Sequence, residues 1–180
     1  GHDSGGLIRV GSDYRGQGNI INATQTLVDE NSTLSADAIA QGNGGQIIIW
    51  ADETTDYSGQ LSAQGGLIGG NGGFAEVSGK TNLTFTGSAN LSAPQGNYGT
   101  LLLDPENIEI TDSTPSGTAN TSYFTSADIE DLFNNNNLAL EATNSITIRD
   151  ISNGDLRVND GRALTFTADS DGENGGAFRM

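Results

Sequence analysis

Three carboxylates fall within five positions at Asp52, Glu53 and Asp56, beside Trp50 and Tyr57. Oxygen ligands grouped in this way are what calcium takes. A pair of carboxyl groups about 5–9 Å apart can also act as acid and base on a glycosidic bond. The competing reading is a polar turn on a solvated surface. It is favoured because no histidine, lysine or arginine stands close by in the chain to complete a site. A second acidic run, Asp169-Ser170-Asp171-Gly172-Glu173-Asn174, approaches an EF-hand loop, but its glycine stands fourth instead of sixth. Gly69-Gly70-Asn71-Gly72-Gly73-Phe74 has Phe74 where the calcium-binding nonapeptide needs aspartate. The candidate metal ligands are therefore Asp52, Glu53, Asp56, Asp169 and Asp171, with calcium the one ion they could take and no other cofactor expected. Turn chemistry, with glycine and asparagine at positive φ, accounts for both runs without an ion. His2 is the only histidine and there is no cysteine, which excludes histidine-based catalysis, disulfides and thiolate metal sites.

A repeat must position these residues. Gly44-Gly45 opens the apolar run Ile47-Ile48-Ile49-Trp50, and Gly72-Gly73 opens Phe74-Ala75 and Val77 in the same way. The turn asparagines Asn43, Asn71 and Asn97 recur at similar spacing, and Asn174 stands near a further multiple of it. Leu34-Ser35-Ala36 returns as Leu61-Ser62-Ala63 and Leu91-Ser92-Ala93. A unit of roughly 26–28 residues holding two or three short strands cannot bury its apolar side alone, but stacked copies can. The expected fold is all-β: a right-handed parallel β-helix of three sheets, rising ~4.8 Å per coil. Leu34, Leu61 and Leu91 should then form one inward ladder.

Along the chain, regular coils are expected over 5–111, with residues 11–31 a loop insert that leaves the wall. Asp104-Pro105 reads as a strand end, because proline cannot donate to a ladder and restricts the residue before it. The sharper alternative is a processing site, since the pattern changes immediately afterwards. Residues 112–137 read as a loop followed by a short helix. Thr125 or Ser126 caps that helix, Ile129, Leu132 and Phe133 give it one apolar face, and the run 134–137 stops it. Strands resume over 138–180 at Leu138-Ala139-Leu140, Ile146-Thr147-Ile148, Leu156-Arg157-Val158 and Leu164-Thr165-Phe166-Thr167. The whole of 1–180 is read as one domain, a fragment whose repeat is expected to continue past both ends.

Composition narrows the partners. The chain has 180 residues and a net charge of −16, which repels phosphate backbones and argues against nucleic acid. Glycine is abundant at 26 residues and proline scarce at 3, as many tight turns between short strands require. No long apolar run is present, so no membrane-spanning segment is expected.

Residues 44–80, followed by Gly99-Thr100-Leu101-Leu102-Leu103-Asp104-Pro105, resemble the filamentous-haemagglutinin-type exoproteins of bacterial two-partner secretion. In that family runs like GGxIIIWADxTTxxxGxLSAxGG, GGNGGFxEVSGK and GTLLLDPxNIxI recur in order, and Asp13-Tyr14-Arg15-Gly16 is similar to a further short family segment. The resemblance covers 5–111 well and 120–180 more loosely. It implies an extended β-helix exported across the outer membrane to the cell surface or the medium, with adhesive and structural roles. The implied partners are glycans or proteins of a host, a neighbouring cell or a matrix. The outer-membrane translocator would be engaged through a secretion domain that has no counterpart in these residues. The expectation is thus a structural and adhesive segment and not an enzyme. The alternative is a β-helix that binds or cleaves polysaccharide, which would need acids from adjacent coils such as Glu76 to converge with Asp52, Glu53 or Asp56, near Lys80 or Arg9.

Overall fold

The computed structural model describes residues 1–158, 161–173 and 175–180. Asn174, the last of the recurring turn asparagines, lies outside the described residues. The chain is mostly β with one short helix, and its strands lie parallel in stacked sheets. The first three turns of chain each hold three strands. They are β1 (Leu7–Val10), β2 (Gln25–Val28) and β3 (Thr33–Ser35); β4 (Gln46–Ala51), β5 (Thr54–Tyr57) and β6 (Gln60–Ser62); β7 (Phe74–Gly79), β8 (Asn82–Phe85) and β9 (Ser88–Asn90). There follow β10 (Thr100–Leu103), β11 (Asn107–Ile110), β12 (Thr121–Phe124), α1 (Ser126–Phe133), β13 (Asn137–Ala142), β14 (Ser145–Ile148), β15 (Leu164–Ala168) and β16 (Phe178–Arg179).

Strands pair in parallel with their counterparts in neighbouring turns, except that β8 and β9 have no strand partner in the following turn. A six-stranded sheet runs β1-β4-β7-β10-β13-β15, beside the three-stranded sheets β2-β5-β8 and β3-β6-β9 and a four-stranded sheet β12-β11-β14-β16. This three-sheet-like arrangement is compatible with a β-helix. Alternate residues of the large sheet point inward, so Ile47, Ala75, Leu101 and Leu138 stack in register and are fully or almost fully buried. At the corner into the second sheet, Thr26 Oγ1 donates to the Trp50 carbonyl at 2.7 Å. Its register partner Thr55 repeats the contact to the Ser78 carbonyl at 2.8 Å.

The turns explain the glycine and asparagine spacing. The Asn71 N–H donates to Asn43 Oδ1, 28 positions back, at 2.8 Å, and the Asn97 N–H to Asn71 Oδ1, 26 back, at 2.9 Å. Only the first glycine of each Gly-Asn-Gly-Gly turn has positive φ, Gly42 at 90° and Gly70 at 118°. The later ones are glycine because backbones nearly touch. A Cβ on Gly45 would lie 2.0 Å from the Gly6 carbonyl oxygen, and one on Gly73 would lie 2.1 Å from that of Gly45.

Several expectations need correction. Leu61 pairs with Leu34 on one side but with Ala89 on the other; Leu91 lies two residues past that ladder, buried beyond the end of β9. The expected insert 11–31 is shorter than read, since Gln25–Val28 is a wall strand paired with β5, with Thr26 and Val28 inward. Likewise the expected 112–137 insert contains β12, paired with β11. Leu156-Arg157-Val158 forms no strand: Leu156 leans on the core while Val158 is exposed.

The helix stands as expected. Thr125 caps it in a reciprocal box with Asp128, and Ile129, Leu132 and Phe133 are buried. It sits where the third sheet would otherwise continue. Fully buried Asn136, just beyond it, closes the open edge of β9. Its Nδ2 donates to the Ala89 and Leu132 carbonyls at 3.1 and 2.6 Å, and its Oδ1 accepts the Leu91 N–H at 2.9 Å. Asn136→Ala should strand two buried carbonyls and destabilise the chain by roughly 2–4 kcal/mol, at about 1–3 kcal/mol for each orphaned group. Urea unfolding followed by circular dichroism checks this, with exposed Asn135→Ala expected within about 0.5 kcal/mol of the parent. Equal stability of the two variants would show that Asn136 does not close the edge.

Candidate functional site

The outer face of the six-stranded sheet is not left to water. Ile48, Glu76 and Leu102 are register partners on that face and are buried to within 2%. The segment after β1 covers them. Asp13 pairs with Arg9 at 2.8 Å and accepts the Tyr14 N–H at 3.2 Å, starting a 3-10 turn over Tyr14–Gly16. The Tyr14 ring packs edge-on against Phe74, centroids 5.7 Å apart. Arg15 takes a left-handed φ of 55°, which aims its backbone N–H at Glu76 Oε2, 3.0 Å away. Its guanidinium reaches Glu141 Oε2 at 2.5 Å and the Tyr14 hydroxyl at 2.8 Å. Gly16 lies against the Trp50 indole so closely that a Cβ would meet the ring at 2.6 Å. Asn22 completes the latch, donating to the Gly16 carbonyl at 3.0 Å and to Asp52 Oδ1 at 2.8 Å, with Ser12 bonded to its own oxygen.

A cleft of about 550 Å³ opens along the edge of this cover. Arg15, Asn22, Trp50, Asp52, Lys80, Asp104, Thr143, Ser170 and Asp171 are among its lining residues. Three sequence candidates therefore meet there: Asp52 from the turn after β4, Asp104 directly after β10, and Asp171 from the turn after β15. Glu53 and Asp56 do not line it. Glu53 is exposed in the turn, where its carbonyl accepts the Thr81 and Asn82 N–H groups, and Asp56 projects outward from β5. Asp169 holds the neighbouring turn through its backbone, N–H to the Asn144 carbonyl at 2.9 Å and carbonyl to the Gly172 N–H at 3.0 Å. Pro105 is buried beside Asp104, just past the end of β10. Arg9 is occupied by Asp13, whereas Lys80 reaches the cleft. Among the described residues, no three histidine, aspartate or glutamate side chains form a group that could hold a metal ion.

Burial sets the electrostatics. Glu76 is wholly enclosed, and desolvation pushes its carboxyl up to about 7, against the opposing pull of the Arg15 backbone N–H. Asp104 is 6% exposed and is pushed up to about 6, first by burial and then by the neighbouring Glu141 charge, with Arg15 opposing. The sequence reading of this chemistry had no role for Glu141. The signal for Glu76 was present: a carboxylate in Phe74-Ala75-Glu76-Val77 at the position that is isoleucine one turn earlier.

No family model, curated protein or solved structure matches the chain.

The raised carboxyl of Glu76 makes stability depend on pH in a defined direction. Between its ordinary 4.5 and about 7, the folded chain keeps a proton that the unfolded chain has released. Stability from this group is complete below that window, falls as pH rises through it, and is level above it. A shift of this size corresponds to something on the order of 3 kcal/mol. Asp104, which is raised too, adds to the same slope at its lower end. Glu76→Gln keeps an acceptor for the Arg15 N–H and removes the charge. Thermal melts at about pH 5 and about pH 8 should show the variant gaining stability over the parent at the higher pH, with a flatter profile. An unchanged profile would mean that Glu76 is solvated in the folded chain.

Proposed function

We propose that the stacked sheets are those of a right-handed parallel β-helix. On this reading the chain is a structural and adhesive segment of a large secreted or cell-surface exoprotein of the filamentous-haemagglutinin type. The observation that supports it most is the in-register parallel pairing of counterpart strands through six members of one sheet. Such a stack has one growth direction, so length is added turn by turn without redesign of the core. A stiff body of this kind carries its outer loops away from the surface that bears it, and its net charge of −16 opposes indiscriminate association. The partners on this reading are glycans or proteins of a host, a neighbouring cell or a matrix, and the parent exoprotein crosses the outer membrane through its translocator. No helix among the described residues is long and apolar enough to cross a membrane.

One observation favours a second reading, a polysaccharide-active protein. Asp52, Asp104 and Asp171 converge on one open cleft, with Lys80 beside them. A paired acid and base would release reducing ends or unsaturated products from a polysaccharide. The two readings separate in a single preparation. Chain immobilised on beads is presented to epithelial cells, bacterial cells and matrix-coated wells, and in parallel incubated with neutral and acidic polysaccharides. Saturable adhesion without product is expected. Product formation abolished by Asp104→Ala would replace the adhesive reading with the enzymatic one, and absence of both adhesion and product would remove both.

A further inference from the structure

We propose that the cleft beside the Trp50 indole is a binding site for a neutral oligosaccharide, with Asp104 as its buried polar anchor and Lys80 as its exposed donor. The inference deepens the adhesive reading and rests on it, since it gives the binding surface a place and a chemical class.

Asp104 points to a ligand in a way that a solvated acidic patch does not. It is more than nine-tenths buried, and its Oδ1 has no hydrogen-bond partner among the described residues. It lines the cleft together with Ser170 and Asp171. A buried carboxyl oxygen left unpaired is costly, and a hydroxyl donor from a ligand removes that cost. Lys80 is exposed at the rim and has no ion-pair partner among the described residues, which leaves its ammonium free to donate. Asp52 presents a carboxylate already oriented, its Oδ1 held by Asn22 at 2.8 Å and the Trp50 Nε1–H at 3.3 Å.

The chemistry of the occupant follows from this donor and acceptor set. Asp52, Asp104 and Asp171 outnumber Lys80, and the Arg15 guanidinium is committed to Glu141 at 2.5 Å. An anionic ligand is therefore repelled. A ligand that both donates and accepts, through hydroxyls spread over a compact ring, matches carboxylates facing an ammonium and the Thr143 hydroxyl. Trp50, although mostly buried, is among the cleft's lining residues. A volume of about 550 Å³ falls within the usual range of roughly 300–1,000 Å³ for small-ligand sites.

Trp50 is the only tryptophan in the chain, so its emission reports on this cleft alone. The full chain is titrated with cellopentaose, laminaripentaose and mannopentaose, and with trigalacturonate as the acidic comparison, by fluorescence and by calorimetry. Saturable binding of at least one neutral oligosaccharide is expected, with trigalacturonate about tenfold weaker or more. Asp104→Asn and Lys80→Ala should each weaken binding by about tenfold, the loss expected when one hydrogen bond to a charged group goes. Lys80 is exposed and unpaired, so its variant keeps the test intact if Asp104→Asn disturbs folding, which circular dichroism melts will show. Binding untouched by either variant, preference for trigalacturonate, or no binding of any neutral oligosaccharide would each overturn the proposal. In all three cases the adhesion of immobilised chain to cells still decides the adhesive reading separately.

Discussion

The constraint on which the rest depends is the close approach of one turn of chain to the next. Parallel strands in register sit about 4.8 Å apart, and every backbone donor and acceptor in the ladder is satisfied only at that spacing. At the corners, where no ladder exists, the same spacing must be kept by turns. Glycine provides it by having no Cβ where Gly45 meets the Gly6 carbonyl and Gly73 meets that of Gly45. Asparagine provides it by lending a side-chain oxygen to the next turn's N–H, as Asn43 does for Asn71 and Asn71 for Asn97. The recurrent Gly-Asn-Gly-Gly is thus a spacer as much as a bend. An alanine at Gly73 would force apart turns that the strands on either side hold together.

Where the stack departs from regularity, something must still meet the exposed ladder edges. After the third turn, the second and third sheets lack direct successors. Ser122 Oγ accepts the Leu83 N–H at 2.8 Å, so β12 covers the edge of β8 by a side-chain contact instead of a strand pair. Asn136 does the same for β9, and the helix buries Phe133 in the core where a strand's inward residues would lie. An open strand edge invites pairing with other chains, so these substitutions keep the stack from branching sideways.

These features differ in how readable they were. The helix was legible because its signals are local: a threonine or serine cap and an apolar face at helical spacing. The turn asparagines were legible because stacking forces a fixed period. β2 was not, because Leu27 puts an exposed apolar residue on its outer side, and the polar Thr26 turns inward to a carbonyl. The mistaken pairing of Leu91 has a related cause. Leu-Ser-Ala repeats as a string, but Ala89 occupies the register position, and Leu91 is buried for a different reason. Leu156-Arg157-Val158 alternates like a strand yet finds no ladder partner. The cleft was legible only as separate residues. Asp52, Asp104 and Asp171 belong to three different turns, and the Arg15–Glu141 contact joins positions 126 apart. No period in the chain announces which side chains of successive turns will share one outer corner.

The outer face also explains why a site should form there and not elsewhere. Inside the stack, register ladders such as Ile47, Ala75, Leu101 and Leu138 are apolar, and the inward Thr26 and Thr55 are spent on backbone carbonyls at the corner. On the exposed faces, carboxylates such as Asp56 point into solvent. Where the segment after β1 folds back over the large sheet a third kind of environment arises, dry but not apolar. Glu76 is enclosed there with Arg15 held over it, the left-handed φ of Arg15 aiming its backbone N–H at the carboxyl, and Asp104 is buried close by. Strain in one residue, burial of two carboxyls and the opening of a polar cleft therefore meet at one place in the fold. The same cover keeps water from Ile48 and Leu102 and joins distant turns through the Arg15–Glu141 ion pair, so its cost in desolvated carboxyl is offset in part by apolar burial and by that pairing.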